Sequence, residues 1–112
     1  MQDKSQEWLE LSEVELLREL GRSEALAHDF AFPPSPKKLV KLGKEWFSKH
    51  REDLLDKVCE NEKVTKYKHE RNLLFDALCE IIVHVSLQVP AGCVAAYLVH
   101  RGVDALCSHR AG

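Results

Sequence analysis

The chain has 112 residues, 45% of them hydrophobic and 30% charged, with a formal net charge of −2. These proportions are typical of a globular protein and exclude an intrinsically disordered chain. Five glycines and four prolines are few, and long runs are rich in Leu, Glu, Lys and Ala. We therefore expect an all-α fold, a compact bundle of four to six helices in a single domain over residues 1–112.

The small net charge hides a segregation along the chain. Residues 1–35 contain eight acidic and three basic side chains, and residues 36–72 contain eleven basic and seven acidic ones. Residues 73–112 are nearly balanced, with three acidic and two basic side chains. The basic middle segment is suited to an acidic partner, to the N-terminal segment of another subunit, or to nucleic acid.

Short helices are predicted for the acidic N-terminal part, residues 1–32. Ser12 followed by Glu15 has the spacing of a capping box, and Gly21 is expected to end the helix that begins there. Ser23 is expected to cap a second short helix through "EALAHDFAF".

A long amphipathic helix is predicted over residues 36–60. Pro34 prevents the preceding helix from continuing, and Ser35 before Pro36 is an N-cap with proline at the first helical position. The apolar face of this helix runs into polar residues between Glu60 and Thr65, so we expect a break there.

Two further core helices are predicted, over residues 64–88 and 90–107. Pro90 begins the second of them, and Gly102 is expected to end it before a last turn capped by Asp104. The stretch from Leu73 to Cys107 is strongly apolar, but its internal charges and Pro90 are unsuited to a bilayer core. No membrane association is therefore expected.

Asp76, Glu80, His84 and Gln88 recur every four residues and share one edge of a predicted helix. The simplest interpretation is a central helix whose edge faces solvent or a partner, with Glu80 and His84 as an ordinary i,i+4 pair. A second interpretation is a polar stripe that makes specific contacts within an oligomer. The predicted interaction residues are Asp76, Glu80, His84, Tyr97 and Leu98.

Two chemical interpretations of the same edge remain as alternatives. Glu80 and His84 have the spacing of two metal ligands on one helix face, with His100 or Cys93 as possible further ligands. Asp76 with Glu80 and His84 is also a potential acid–base set. No catalytic motif accompanies these residues, so we expect no enzyme, no cofactor and no metal.

A basic face is predicted on the long middle helix, opposite its apolar side, formed by Lys37, Lys41, Lys44 and Arg51. Such a face can hold a phosphate backbone, although acidic side chains such as Glu45 and Glu52 are interspersed. A nucleic-acid-binding regulator that uses residues 37–71 is therefore the first alternative function. A metal-dependent enzyme centred on Glu80 and His84 is the second.

The four cysteines, Cys59, Cys79, Cys93 and Cys107, form no CxxC pair, and the first residues do not resemble a signal peptide. We therefore expect four buried thiols in a reducing, cytoplasmic environment rather than disulfides.

The segment "VPAGCVAAYLVHRGVDALC", from Val89 to Cys107, resembles the final helices of effector-associated or death-like adaptor modules in bacterial signalling and anti-phage conflict proteins. The resemblance implies an adaptor that recruits a partner by helix-on-helix contact. Together with the apolar C-terminal part, it favours a non-catalytic protein–protein interaction module, either an adaptor or a regulatory subunit. A protein partner or a homo-oligomer is the expected assembly.

Overall fold

The computed structural model describes residues 4–27, 34–85 and 89–108, and these ranges contain seven α-helices and no strand. The predicted all-α compact bundle is confirmed, with one helix more than the highest number expected. Within the described residues, no helix is both long and apolar enough to cross a membrane. The helices are α1 (Lys4–Glu10), α2 (Glu13–Ala27), α3 (Pro36–Val58), α4 (Glu62–Tyr67), α5 (Arg71–Val83), α6 (Ala91–Arg101) and α7 (Val103–Ser108).

Several predicted helix starts are confirmed by capping hydrogen bonds. At the start of α2, the Ser12 N–H donates to the Glu15 carboxylate at 2.9 Å, and the Glu15 N–H donates to the Ser12 hydroxyl at 3.1 Å. The bond from the Ser12 N–H holds the pKa of Glu15 below its usual value. Ser35 caps α3 as predicted, and Asn61 caps α4 after the expected break.

Two predicted boundaries in the N-terminal part are wrong, because α2 continues through Gly21 and Ser23 to Ala27. The Ser23 hydroxyl donates to the Glu19 carbonyl inside this helix instead of capping a new one. The rest of the predicted second short helix falls within residues 28–33, outside the described residues.

The predicted core helix over residues 64–88 is divided into α4 and α5 by a turn at residues 68–70. The turn lets α4 fold back against α5, which the two halves of a continuous helix cannot do. α5 ends at Val83 with His84 as its C-cap, and Gln88 lies outside the described residues. Gly102 ends α6 as predicted, with a φ of 91° that side-chain-bearing residues rarely adopt.

α2 and α3 form an antiparallel pair whose backbones touch at two glycines. A Cβ atom at Gly21 would lie 1.8 Å from the Leu39 carbonyl oxygen, and one at Gly43 would lie 2.0 Å from the Leu17 carbonyl oxygen. Only hydrogen atoms therefore fit between the helices at these points. Gly21 serves this contact, which explains why it does not end the helix.

α6 is the centre of the core. Its residues 93–98 are all buried, and it packs against α1, α2, α5 and α7. The Tyr97 ring meets Phe47 of α3 edge-on, with 4.8 Å between ring centroids. The apolar helix α6 is thus enclosed by the other helices of the same chain.

The last turn of the short helix α1 is held against α5 and α6. Trp8 lies against Gly92, where a Cβ atom would come within 2.5 Å of the indole ring. The Leu9 carbonyl oxygen accepts a hydrogen bond from the Arg71 guanidinium and lies 3.1 Å from the His100 Nε2 atom. The positive Arg71 guanidinium also interacts favourably with the negative, C-terminal end of the α1 dipole.

Cys59 and Cys107 form a disulfide that joins the C-cap of α3 to α7. The prediction of four reduced thiols is therefore wrong for this pair, because the fold places two cysteines 48 residues apart in sequence within bonding distance. Cys79 and Cys93 are not disulfide-bonded. The cytoplasmic location, which partly depended on four thiols, stays a prediction.

Replacing Gly43 with Ala is expected to destabilise the chain by about 1–3 kcal/mol, or to prevent folding, because the new methyl group would overlap the Leu17 carbonyl. At an ordinary helical site the same change would stabilise the protein by about 1 kcal/mol. Urea unfolding followed by circular dichroism measures the difference. Ser48→Ala, on the exposed side of α3, is the control and should change stability little. A Gly43→Ala protein as stable as the parent would contradict the close contact.

Candidate functional site

The polar edge predicted from the sequence lies at the surface on α5. Asp76 and Glu80 are exposed within the helix, and the exposed His84 is its C-cap. The structure therefore brings three of the four predicted residues to one edge.

Two apolar side chains lie on the same edge. Leu73 is 43% exposed and Val83 is 64% exposed, and they are two of the four large hydrophobic residues that are exposed in the described part of the chain. Helical spacing places Leu73 beside Asp76 and Val83 beside Glu80. We call the set formed by Leu73, Asp76, Glu80, Val83 and His84 the α5 surface.

An open groove of about 540 Å³ borders the α5 surface. One wall is the connection between α3 and α4 with the first turn of α4, and the other is the side of α5. Ala77 and Ile81 supply the apolar lining. The remaining lining residues are polar: Glu60, Asn61, Glu62, Lys63, Glu80 and His84.

The groove is predominantly negative. Glu60, Glu62 and Glu80 contribute carboxylates, against the single ammonium of Lys63. The C-terminal end of the α5 dipole adds partial negative charge near His84. A cationic or hydrogen-bond-donating ligand is therefore favoured there.

Glu80 forms its ion pair with Lys63 of α4, at 3.2 Å, and not with His84 as expected. Both side chains are more than 60% exposed, at 63% and 65%. Exposed pairs of this kind contribute between zero and about 1 kcal/mol. A partner can therefore displace this contact at small cost.

Tyr97 and Leu98 were also predicted as interaction residues, but they do not lie at the surface. Leu98 is fully buried and Tyr97 is only 5% exposed, both within the core. Burial also raises the pKa of the Tyr97 hydroxyl above its usual value. Both side chains are therefore part of the chain's own hydrophobic core.

The geometry offers little support for metal chemistry at Glu80 and His84. Over the described ranges, no group of three or more His, Cys, Asp and Glu side chains is arranged to hold a metal ion. His100, a further ligand considered from the sequence, lies instead against the Leu9 carbonyl at the end of α1.

The predicted basic face is at the surface of α3. Lys37, Lys41 and Lys44 are exposed and Arg51 is half-buried. None of the four forms an ion pair with another described residue. The contact of Gly43 with α2 directs this face away from the bundle.

The groove could not be predicted from the sequence, because its two walls come from separate helices joined by the turn at residues 68–70. Leu73 and Val83 were also absent from the predicted interaction residues. Both fall in phase with Asp76 and Glu80 on a helical wheel, so the signal was present in the sequence. The two residues were not recognised as exposed because other apolar residues lie near both positions in the sequence.

The buried Cys93 thiol is expected to resist alkylation in the native protein. Burial raises its pKa to about 12, which leaves roughly one thiolate in ten thousand at pH 8. Mass spectrometry after iodoacetamide treatment should show Cys93 unmodified without urea and modified with it. Rapid native labelling of Cys93 would contradict its burial against α2, where the thiol lies 3.4 Å from the Leu16 carbonyl oxygen.

No protein-family model matches the chain, and comparison with characterised proteins and with solved structures gives no significant match. The resemblance of Val89–Cys107 to effector-associated adaptor modules therefore stays a prediction. The functional argument depends on the geometry of the α5 surface, the groove and the basic face.

Proposed function

We propose that the chain is a non-catalytic protein–protein interaction module that binds a helical segment of another protein at the α5 surface and the groove. The observation that carries this proposal is the exposure of Leu73 and Val83 beside a predominantly acidic groove with an apolar lining. Exposed apolar residues grouped with polar ones are characteristic of interaction surfaces.

The partner segment that fits this surface is an amphipathic helix with basic flanks. Its apolar stripe would cover Leu73 and Val83, and its Lys or Arg side chains would meet Glu60 and Glu62. The negative end of α5 favours the same cations. The resemblance of Val89–Cys107 extends the proposal to an adaptor in a bacterial signalling or defence assembly.

Two designed amphipathic peptides with the same leucine stripe test this proposal, one flanked by Lys and Arg and the other by Glu. Amide shifts of the ¹⁵N-labelled chain should respond to the basic peptide at residues 61–63 and 77–84. Val83→Asp should weaken this binding by about tenfold or more, since a carboxylate would enter the apolar contact. Val14→Asp, at a valine of similar exposure on α2, should bind as the parent does.

Equal binding of both peptides, or equal loss in the two valine variants, would contradict the assignment. Size-exclusion chromatography with light scattering at low and high salt tests self-association. A dimer that Val83→Asp dissociates would make a second copy of the chain the occupant, in place of the basic helix.

Nucleic-acid binding by the basic face is the second candidate. It is favoured by Lys37, Lys41 and Lys44, which are exposed and form no ion pair with any residue that the structure describes. Replacing Lys37, Lys41, Lys44 and Arg51 with Glu should abolish binding to duplex DNA and single-stranded RNA oligonucleotides, measured by fluorescence anisotropy.

Binding by the parent should weaken steeply between about 50 and 200 mM salt, because counterions compete for the phosphates. Reversal of Arg22 and Arg101, two exposed basic residues outside residues 37–71, is the control and should have a small effect. Salt-independent binding, or none, would rule this candidate out.

A further inference from the structure

The Cys59–Cys107 disulfide lies at the surface of the bundle. Both cysteines are half-buried, and they border a small cavity of about 80 Å³. The cavity is shared by residues of α4, of the turn after it and of α7: Val64, Thr65, Lys68, Val103 and Asp104. An external thiolate can therefore approach the sulfur atoms without the core being opened.

Few other interactions attach α7 to the bundle. It has six residues, too few for a stable isolated helix. Val103 and Leu106 are buried, and α7 packs mainly against α6. Lys68 lies 3.6 Å from Asp104, but solvent reaches both side chains, which are 39% and 65% exposed, so their ion pair contributes little. The disulfide is thus the covalent link that keeps α7 close to α3.

Lys68 lines the same cavity as the two cysteines, and so does Asp104, whose carboxylate lies 3.6 Å from the Lys68 ammonium. These two charges offset each other, so the position of the pair at the surface, and not a local charge, makes it open to disulfide exchange. The buried Cys93 thiol, with its pKa raised to about 12, is in contrast a poor participant in exchange.

We propose that the Cys59–Cys107 disulfide is a redox switch that controls the attachment of α7 to α3 and α4. The reductant is a dithiol. One of its thiolates attacks a sulfur atom of the pair, forms a mixed disulfide and releases the other cysteine as a thiolate. Its second thiol then closes an intramolecular disulfide in the reductant. Two electrons pass to the protein, and Cys59 and Cys107 end as thiols with two protons gained.

Reduction frees α7 to leave the bundle and removes a neighbour of α4. α4 connects the two sites, since Val64 and Thr65 border the disulfide cavity and Glu62 and Lys63 border the groove. Reduction should therefore also loosen one wall of the groove and weaken partner binding. This last consequence rests on the proposed function, whereas the switch itself does not.

Hydrogen exchange on the full chain, before and after treatment with dithiothreitol in native buffer, tests the switch. Alkylation of the untreated protein in urea should modify two cysteines, Cys79 and Cys93. After native reduction all four should be modified. Amides of residues 103–108 should then exchange about tenfold faster or more, with a smaller increase in residues 62–67, while α2 and α6 keep their protection.

Cys107→Ser should reproduce the exchange pattern of the reduced protein, and Cys79→Ser is the matched control that should not. If Cys107→Ser does not fold, the reduced parent supplies the same comparison. The proposal is overturned if the pair cannot be oxidised, if it is reduced only in denaturant, if α7 exchange is unchanged, or if exchange rises uniformly. Binding of the basic peptide to the oxidised chain is measured separately, so its failure would count against the proposed function alone.

Discussion

The close contact between α2 and α3 is the constraint on which the rest of the structure depends. Gly21 lies on the Leu39 carbonyl, and Gly43 lies on the Leu17 carbonyl. Because each glycine meets backbone and not a flexible side chain, the two helices have essentially one way to pack. This pair presents a fixed apolar side to α6, and it leaves the lysines of α3 facing outward.

The short helices depend on tertiary contacts, and the candidate functional features involve them. α4 and α7 have six residues each, below the length at which a helix is stable alone. α4 is held by its packing on α5 and by the Asn61 cap, and α7 by two buried side chains and a disulfide. Segments with so few contacts unfold locally at a low free-energy cost. Segments of this kind commonly take part in binding and regulation.

The surface has one region that attracts anions and another that attracts cations. The N-terminal half of α3 carries exposed lysines that pair with no described residue, so it attracts anions. The groove beside α5 combines three carboxylates with the negative end of a helix, so it attracts cations. The net charge of −2 therefore says little about either surface, because local fields depend on which side chains lie together.

The sequence by itself determined the helical class, the capping box of Ser12 and Glu15, the cap at Ser35 and the end of α6 at Gly102, since local hydrogen bonds and backbone preferences decide these features. It also indicated the exposed edge of Asp76 and Glu80. Only the tertiary structure decided the role of Gly21, the pairing of Cys59 with Cys107, the burial of Tyr97 and Leu98, and the groove. Each of these depends on groups distant in sequence, and helical periodicity shows which face of a helix is apolar but not which element covers it.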